Sequence, residues 1–598
     1  MPKLVIGNFG GVVPRTTARM LRDNEAQLAE NTRLYRGELQ SWGGPEFILT
    51  PEIPGVRTIY RFRNELENDS IWLYWATQVN VARSPSADID ELRLYYTGDG
   101  KPKKTNWEMA KAGAWLYMGV PAPTTAPTVT VEPYGSAATD DSRYYVYTYV
   151  SEFGNLEEES APSPPSELVT ITSGESVTIS GFAVPPTDGY NITKIRIYRT
   201  LAGQETAGVY AFVTEISVNS LPASYNDDLG PDELGEALTT IGWNPPPDNL
   251  QGIVEMPNGM LAGFEGNTVY FCEPYFPHAW PIRYAQSVPD LIVGLGVFGN
   301  TLAVLTQGTP YLMTGISPDT VTVERLSIPE PCVSAASIAS DQYGVIYASP
   351  NGLVTIGPGT AEVFTEPLFR RDEWQDFEPG TLKGAIYDGK YFGAFQSSVH
   401  GNKTLVLSRD DHPALSYLDI NALAIHTDIV SSELFYYDSR EAAIYKFNAV
   451  PYRPIIYEWK SKRFQLPRAI SWSALKLNLD QQQQDENILY LELIEKLTEE
   501  NNILFQDEIG GEINGDPLNH FAVNGDILHN LPTKADVLFA TVLLYGERGR
   551  LETTLSISST DPVRIPPFKA RELEVRITGT LSVQSIVLGT TVGELIEP

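Results

Sequence analysis

The chain has 598 residues, with 75 Asp or Glu against 43 Lys or Arg, a formal net charge of −32. That balance argues against a protein whose main task is to grip nucleic acid or an anionic membrane, because such proteins neutralise phosphates with clustered Lys and Arg. A hydrophobic content of 42% with 11% aromatics is that of a packed chain rather than a disordered one, and the length predicts about three to five domains at ~100–200 residues each.

The opening residues, MPKLVIGNFGGVVPRTTARM, contain no apolar block of roughly 7–15 residues and no small-residue cleavage pattern, so a secretory signal is not expected. Nor is there a run of about 18 apolar residues that would predict a helical membrane span. The expectation is a soluble protein made in a cytoplasm and not exported by a signal of its own. The best helical pattern is Asp23 to Leu34 (DNEAQLAENTRL), where Asp or Asn could cap a turn followed by Ala26, Leu28, Ala29 and Leu34. A first region, about 1–120, ends at the Pro-rich PAPTTAP, which reads as stiff and extended.

The chain as a whole reads as β-dominated, with Tyr, Val, Ile and Thr clusters between Gly, Pro, Asn and Asp, and 48 Gly and 44 Pro to punctuate it. Residues 128–236 predict a sandwich of the fibronectin or immunoglobulin-like kind, with strands at Thr128–Val131, Tyr144–Val150, Leu168–Thr172, Ser176–Ile179, Lys194–Tyr198 and Tyr210–Val213. No Cys–Trp–Cys pattern supports a true immunoglobulin domain. The acidic Glu157 to Glu159 reads as a solvated turn. Residues 241–460 carry a loose repeat, an apolar strand, a turn, and a second strand usually holding Tyr, starting at Met260, Thr301, Val345, Tyr391 and Leu434. The period of roughly 40–47 residues is that of propeller blades. About five blades are expected, with a sixth assembled from flanking segments; one more irregular sandwich is the competing reading. Residues 461–598 are again β-rich, broken by the polar QQQQDEN (Gln481 to Asn487), a hairpin tip or loop, and closing on ELEVRI and SVQSIVL, whose alternation predicts two half-exposed strands. The fold class predicted is therefore mainly β and multi-domain.

The residues for chemistry are sparse. Six His, at 278, 400, 412, 426, 520 and 529, form no HExxH and no i, i+4 pair. Cys272 and Cys332 lack CxxC spacing and read as buried structural thiols. A literal GxGxxG at Gly294, Gly296 and Gly299 runs into the strand-like NTLAVLTQ rather than the helix a dinucleotide needs, so its glycines read as blade turns. Asp140–Asp141 and Asp227–Asp228 could form acid and base pairs of a glycosidase, but acidic pairs at turns are more often solvated. The expectation is a protein that is not an enzyme and holds no cofactor and no metal.

Three blocks carry a resemblance. FGGVVPR (Phe9 to Arg15) with LRDNEAQLAENTRLYRGELQSWGGP (Leu21 to Pro45), then VNVARSPSADIDELRLYYTGDGKPKKT (Val79 to Thr105), then FKARELEVRITGTLSVQSIVLGTTVGEL (Phe568 to Leu595) resemble, in order, the opening, early middle and close of tail tubular, or nozzle, proteins of short-tailed double-stranded DNA bacteriophages. The resemblance implies a virion protein with an N-terminal platform. It implies a homohexameric ring below the portal and the tail adaptor, support for tail fibres or spikes, and a gated channel passing double-stranded DNA without specific binding. In that setting Gly10 and Gly11 are candidates for positive φ in an N-terminal arm packed on a neighbouring subunit, and Arg15, Arg19 and Arg33 for intersubunit ion pairs. Ordinary turns and surface charges are the competing reading of these five. Lys569 and Arg571 read as surface charges. The channel wall is expected to be net acidic, repelling the phosphate backbone. The alternative of another class is a virion-associated carbohydrate-binding or glycan-cleaving propeller, with Trp243, Trp280 and Trp374 lining a sugar site.

Overall fold

A computed structural model describes residues 3–85, 92–132, 140–172, 175–201, 209–409, 414–451, 453–480, 492–503 and 538–596. The chain is mainly β, and QQQQDEN lies outside the described residues. It divides into two compact units, one of residues 1–52, 350–353 and 363–598, the other of residues 53–349 and 354–362.

Among the described residues of the second unit, four antiparallel sheets outside the sandwich have four strands each and run as meanders in chain order. The first runs from Asn80–Arg83 to Leu116–Tyr117, the second from Gln251–Met256 to Gln286–Ser287, the third from Ile292–Phe298 to Thr322–Arg325, and the fourth from Ala339–Asp341 to Thr360–Val363. The leading strand of each sheet packs on the leading strand of the next, the arrangement of propeller blades. The first unit carries two more such four-stranded meanders, the first of them forming one end of a 14-stranded sheet. One begins at Lys383–Tyr387 and ends at Leu415–Leu418; in the other, Ala422–Asp428, Glu433–Asp438 and Ala443–Val450 are completed by Gly44–Leu49 from near the N-terminus. The five repeats read from the sequence are the second and third strands of five of these six sheets. The sixth lies upstream of the sandwich, outside the range in which the repeat was sought.

The inner strands explain the GxGxxG. Gly294 and Gly296 lie inside the leading strand Ile292–Phe298 rather than in turns; a Cβ at Gly294 would stand 2.3 Å from Ile338 Cδ1, and one at Gly296 2.6 Å from Val345 Cγ1. Glycine lets adjacent sheets approach where side chains would hold them apart. Only Gly299, at φ +51, occupies a turn. Between the second and third sheets the core is aliphatic and aromatic, built on Met260, Phe271, Leu302 and Met313.

Between the first and second sheets the chain forms the sandwich. One sheet pairs Thr128–Glu132, Ser176–Ser180 and Ser224–Asp227, the other Leu156–Glu159, Tyr145–Phe153, Ile192–Thr200 and Tyr210–Ser217. Tyr145, Val177, Ile179, Ile195 and Ile197 fill the space between.

The predicted helix over Asp23–Leu34 is absent. Ala26–Glu30 and Thr32–Tyr35 are strands, broken at Asn31, which takes φ 54. Ala26–Glu30 pairs antiparallel with Tyr457–Ser461, and its Glu30 bridges in parallel to Tyr417. Twelve residues of amphipathic pattern are marginal as an isolated helix, while Ala26 and Ala29, fully buried, are small enough to sit inside a sheet. Tertiary pairing outweighs local propensity. In the same sheet the long strands Phe464–Leu479 and Val563–Gly579 pair with each other, and Leu4–Gly7 pairs with Val583–Gly589 in the register Leu4↔Leu588. The two closing strands are not simply half-exposed, because Glu574 is buried between Leu573 and Val575. Its carboxylate receives Lys460 Nζ at 2.6 Å and the Arg463 guanidinium.

Candidate functional site

The residues proposed for assembly fall in the N-terminal segment of the first unit. Gly10 and Gly11 do not take positive φ. What they supply is room. A Cβ on Gly11 would stand 2.3 Å from Leu415 N and 2.5 Å from Leu415 O, and one on Gly10 3.0 Å from Asn24 O. The Gly10 N–H donates to Asn24 O at 2.7 Å, and Val12 N–H to Leu415 O at 2.8 Å. Each candidate arginine has a partner within its own unit. Arg15 donates to the Glu366 carbonyl at 2.9 Å, Arg19 reaches Glu572 at 3.1 Å, and Arg33 reaches Asp388 at 3.2 Å with its guanidinium 5.1 Å from the Trp42 ring centroid. Arg19, with 54% of its side chain exposed, remains the most accessible of these ion pairs.

The acidic motifs have structural occupations. Glu157–Glu159 is a strand rather than a solvated turn. Glu157 and Glu159 alternate onto one face with Arg196, which also takes Glu215 at 2.8 Å, while Glu158 points the other way and is fully buried. Asp227 is buried, bound by the Arg199 guanidinium and by Tyr145 OH at 2.7 Å; Asp141 takes Arg143 Nε at 2.6 Å. Asp141 and Asp227 are thus each held in an ion pair within the sandwich. Among the described residues no group of three or more His, Cys, Asp or Glu could hold a metal ion. Cys272 and Cys332 are free and buried, their thiols pushed up to about 12 by burial. No helix among the described residues is long and apolar enough to cross a membrane.

The three tryptophans proposed for a sugar site separate. Trp280 and Trp374 are core residues, at 1% and 0% exposure. Trp243 is half-buried and packs against Phe276 at 4.8 Å and His278 at 5.4 Å.

A cluster that no sequence motif announces surrounds Glu158. Its carboxylate pairs with Lys104 Nζ, and both side chains are fully enclosed. Lys104 comes from the first blade sheet and Glu158 from the sandwich, with the Phe153 ring 4.8 Å from the ammonium. Arg93 donates to Asn155 Oδ1 at 2.6 Å, closing the turn between the two sandwich strands. Burial alone would raise the Glu158 carboxyl, but Lys104 beside it, with His278 and Arg93, brings it below the ordinary range. Buried His278 is lowered to about 4 by desolvation, despite Glu158 acting the other way. Neither of its ring nitrogens meets a hydrogen-bond partner. No local signal marks these residues: KKTN (Lys103–Asn106) is wholly buried although its composition is that of a surface strand.

No family model matches the sequence, and no curated protein matches it. Solved structures that resemble it do so faintly. BBS1N in complex with ARL6DN has a TM-score of 0.26 at 8% identity, covering 68% of this chain and 96% of that one. Sqt1 of Saccharomyces cerevisiae has 0.23 at 6%, covering 56% and 97%, and the AfRom2 CNH domain 0.22 at 10%, covering 48% and 88%. Likeness at that level carries no argument; the propeller-type organisation rests on the strand order of the chain itself.

Proposed function

We propose that this chain is a structural virion protein, a tail nozzle subunit of a short-tailed phage that assembles as a homohexamer beneath the tail adaptor, supports tail fibres, and gates a channel for double-stranded DNA. The observation that supports this reading is the position of the resemblance blocks. The first and last, some 540 residues apart in sequence, pair in one sheet through Leu39↔Val583 and meet again where the Gln584 amide donates to the Glu38 carboxylate at 3.2 Å. A motif set whose ends fold together gathers its residues in one region of the unit, and a symmetric assembly reuses one such patch on every subunit. Electron microscopy of the purified protein tests it. Six-fold rings, alone or with the adaptor, are the expected result; monomers at every concentration, together with absence from purified virions, would sink it.

A second reading, a virion-associated carbohydrate-binding propeller, is favoured by the six blade-type sheets, whose loops are common positions for ligand sites. Of the three candidate tryptophans, only Trp243 reaches the surface. Purified protein that stays monomeric and binds bacterial polysaccharide supports this reading against the nozzle.

A further inference from the structure

We propose that the second unit carries a binding groove for a neutral saccharide where the first blade sheet meets the sandwich. The groove, of about 460 Å³, is within the size of ordinary small-ligand sites. The helix Trp107–Lys111 and Leu116 form one wall, and the sandwich segments around Glu152 and Gly189–Asn191 the other. The proposal deepens the carbohydrate-binding reading at a site separate from Trp243, and it is independent of tail assembly.

Both walls are held before any ligand arrives. Asn106 caps the helix, its Oδ1 accepting Met109 N–H at 2.9 Å, and Thr105 OH donates to Ala114 O at 2.9 Å. Opposite, Asn191 takes φ 50 and its Nδ2 donates to Glu152 O at 2.7 Å, while Ser151 OH donates to Tyr190 O at 2.5 Å. Tyr117 N–H donates to Gly189 O at 2.7 Å and ties one wall to the other. A Cβ on Gly189 would stand 2.6 Å from the Tyr117 ring, so the tyrosine lies directly on the glycine backbone. A pre-ordered site loses little entropy on binding.

The chemistry of the lining selects the ligand. Met109 and Leu116 supply the apolar part of the lining, and Asn106, Glu108, Glu152, Thr187 and Asn191 the polar part. No Lys or Arg lines the groove, which disfavours an anion. Each carboxylate already faces a lysine, Glu108 with Lys111 at 3.6 Å and Glu152 with Lys194 at 3.9 Å. That partly satisfies their charge while leaving oxygen lone pairs as acceptors for hydroxyls. A polyhydroxylated ring with apolar C–H faces fits a lining that mixes carboxylate acceptors with apolar side chains. Next in sequence to the lining residues Leu116, Gly189 and Asn191, the rings of Trp115, Tyr117 and Tyr190 form a row with centroids 5.1 and 5.2 Å apart, and the Lys103 ammonium lies 4.2 Å from the Trp115 ring. Trp115 is 38% exposed, offering a stacking surface for a further sugar unit.

Titration of the full chain with maltohexaose and with chitohexaose, followed by ligand-observed NMR and calorimetry, tests the proposal. Binding of at least one is expected. Thr187→Arg, an exposed loop position that would fill the groove, and Trp115→Ala should each weaken it by about tenfold or more, with the melting temperature unchanged. No saturation transfer to either sugar, or binding that both variants retain, or preference for a sulfated oligosaccharide, would overturn it. Ring assembly by electron microscopy is scored separately, so failure here leaves the nozzle reading untouched, and monomers there leave the groove standing.

Discussion

Gly11 shows how a single residue can be required for space rather than for conformation. The two close approaches to the Leu415 backbone cannot be relieved by a side-chain rotation, because backbone, not a flexible tip, is what a methyl would strike. Gly11→Ala is therefore expected to destabilise the first unit by about 1–3 kcal/mol, the ordinary range for overpacking, measured as a shift of the denaturant midpoint. His278 gives the second prediction at this scale. Its imidazole is held neutral to about 4 in the folded chain against an ordinary value of 6.5. Since the unfolded chain binds the proton first, stability from this residue is complete above pH 6.5 and falls as the pH drops toward 4. The loss is on the order of 3 kcal/mol at most, at about 1.4 kcal/mol for each tenfold change in proton affinity. His278→Phe, which keeps a planar ring beside Trp243 and Phe276 without a titrating nitrogen, should flatten the pH dependence of unfolding between 6.5 and 4; an unchanged slope would assign the acid sensitivity elsewhere.

At the scale of elements, the enclosed Lys104–Glu158 pair joins a blade strand to a sandwich strand. Removing one partner leaves a buried charge alone, so Glu158→Ala is expected to cost about 3–5 kcal/mol, whereas replacing both with apolar side chains of similar volume should recover most of that loss. Thermal unfolding of the two single variants and the double one measures the difference. The N-terminal strand offers a second case. Leu4–Gly7 pairs with Val583–Gly589, so deleting residues 1–8 exposes a strand edge and should lower the melting temperature before it affects assembly. Arg19→Glu, which breaks an accessible pair with Glu572 without removing a strand, separates stability from association more cleanly than truncation does. What could be read from sequence at this scale was the strand content of the sandwich, because alternation of Val, Ile and Tyr with polar residues is a local signal. The segment Asp23–Leu34 misled for the same reason: its local pattern is helical, and its strand partners, Tyr457–Ser461 and Tyr417, lie some 400 residues away.

At the scale of the whole molecule, a charge of −32 bears on what the chain does with DNA. If it forms a conduit, the wall must let phosphates pass rather than hold them, and charges within about 8 Å at physiological salt act on the backbone directly. The purified protein is expected to retain no linear double-stranded DNA in a mobility-shift experiment at physiological salt; tight retention would be incompatible with passage. A map of the assembled ring should likewise show a channel surface of net acidic charge.

Composition and period determined that this is a mainly β chain of several domains with a blade-type repeat, since turn residues and alternating apolar positions act over a few residues and are written locally. Tertiary structure alone decided which of the charged residues are buried, that Gly294 and Gly296 sit between sheets, that a strand near residue 46 completes a sheet near residue 440, and where the polar groups of the groove converge. Each of these depends on what lies opposite a residue in space, and strand pairing brings together partners that no window along the sequence contains.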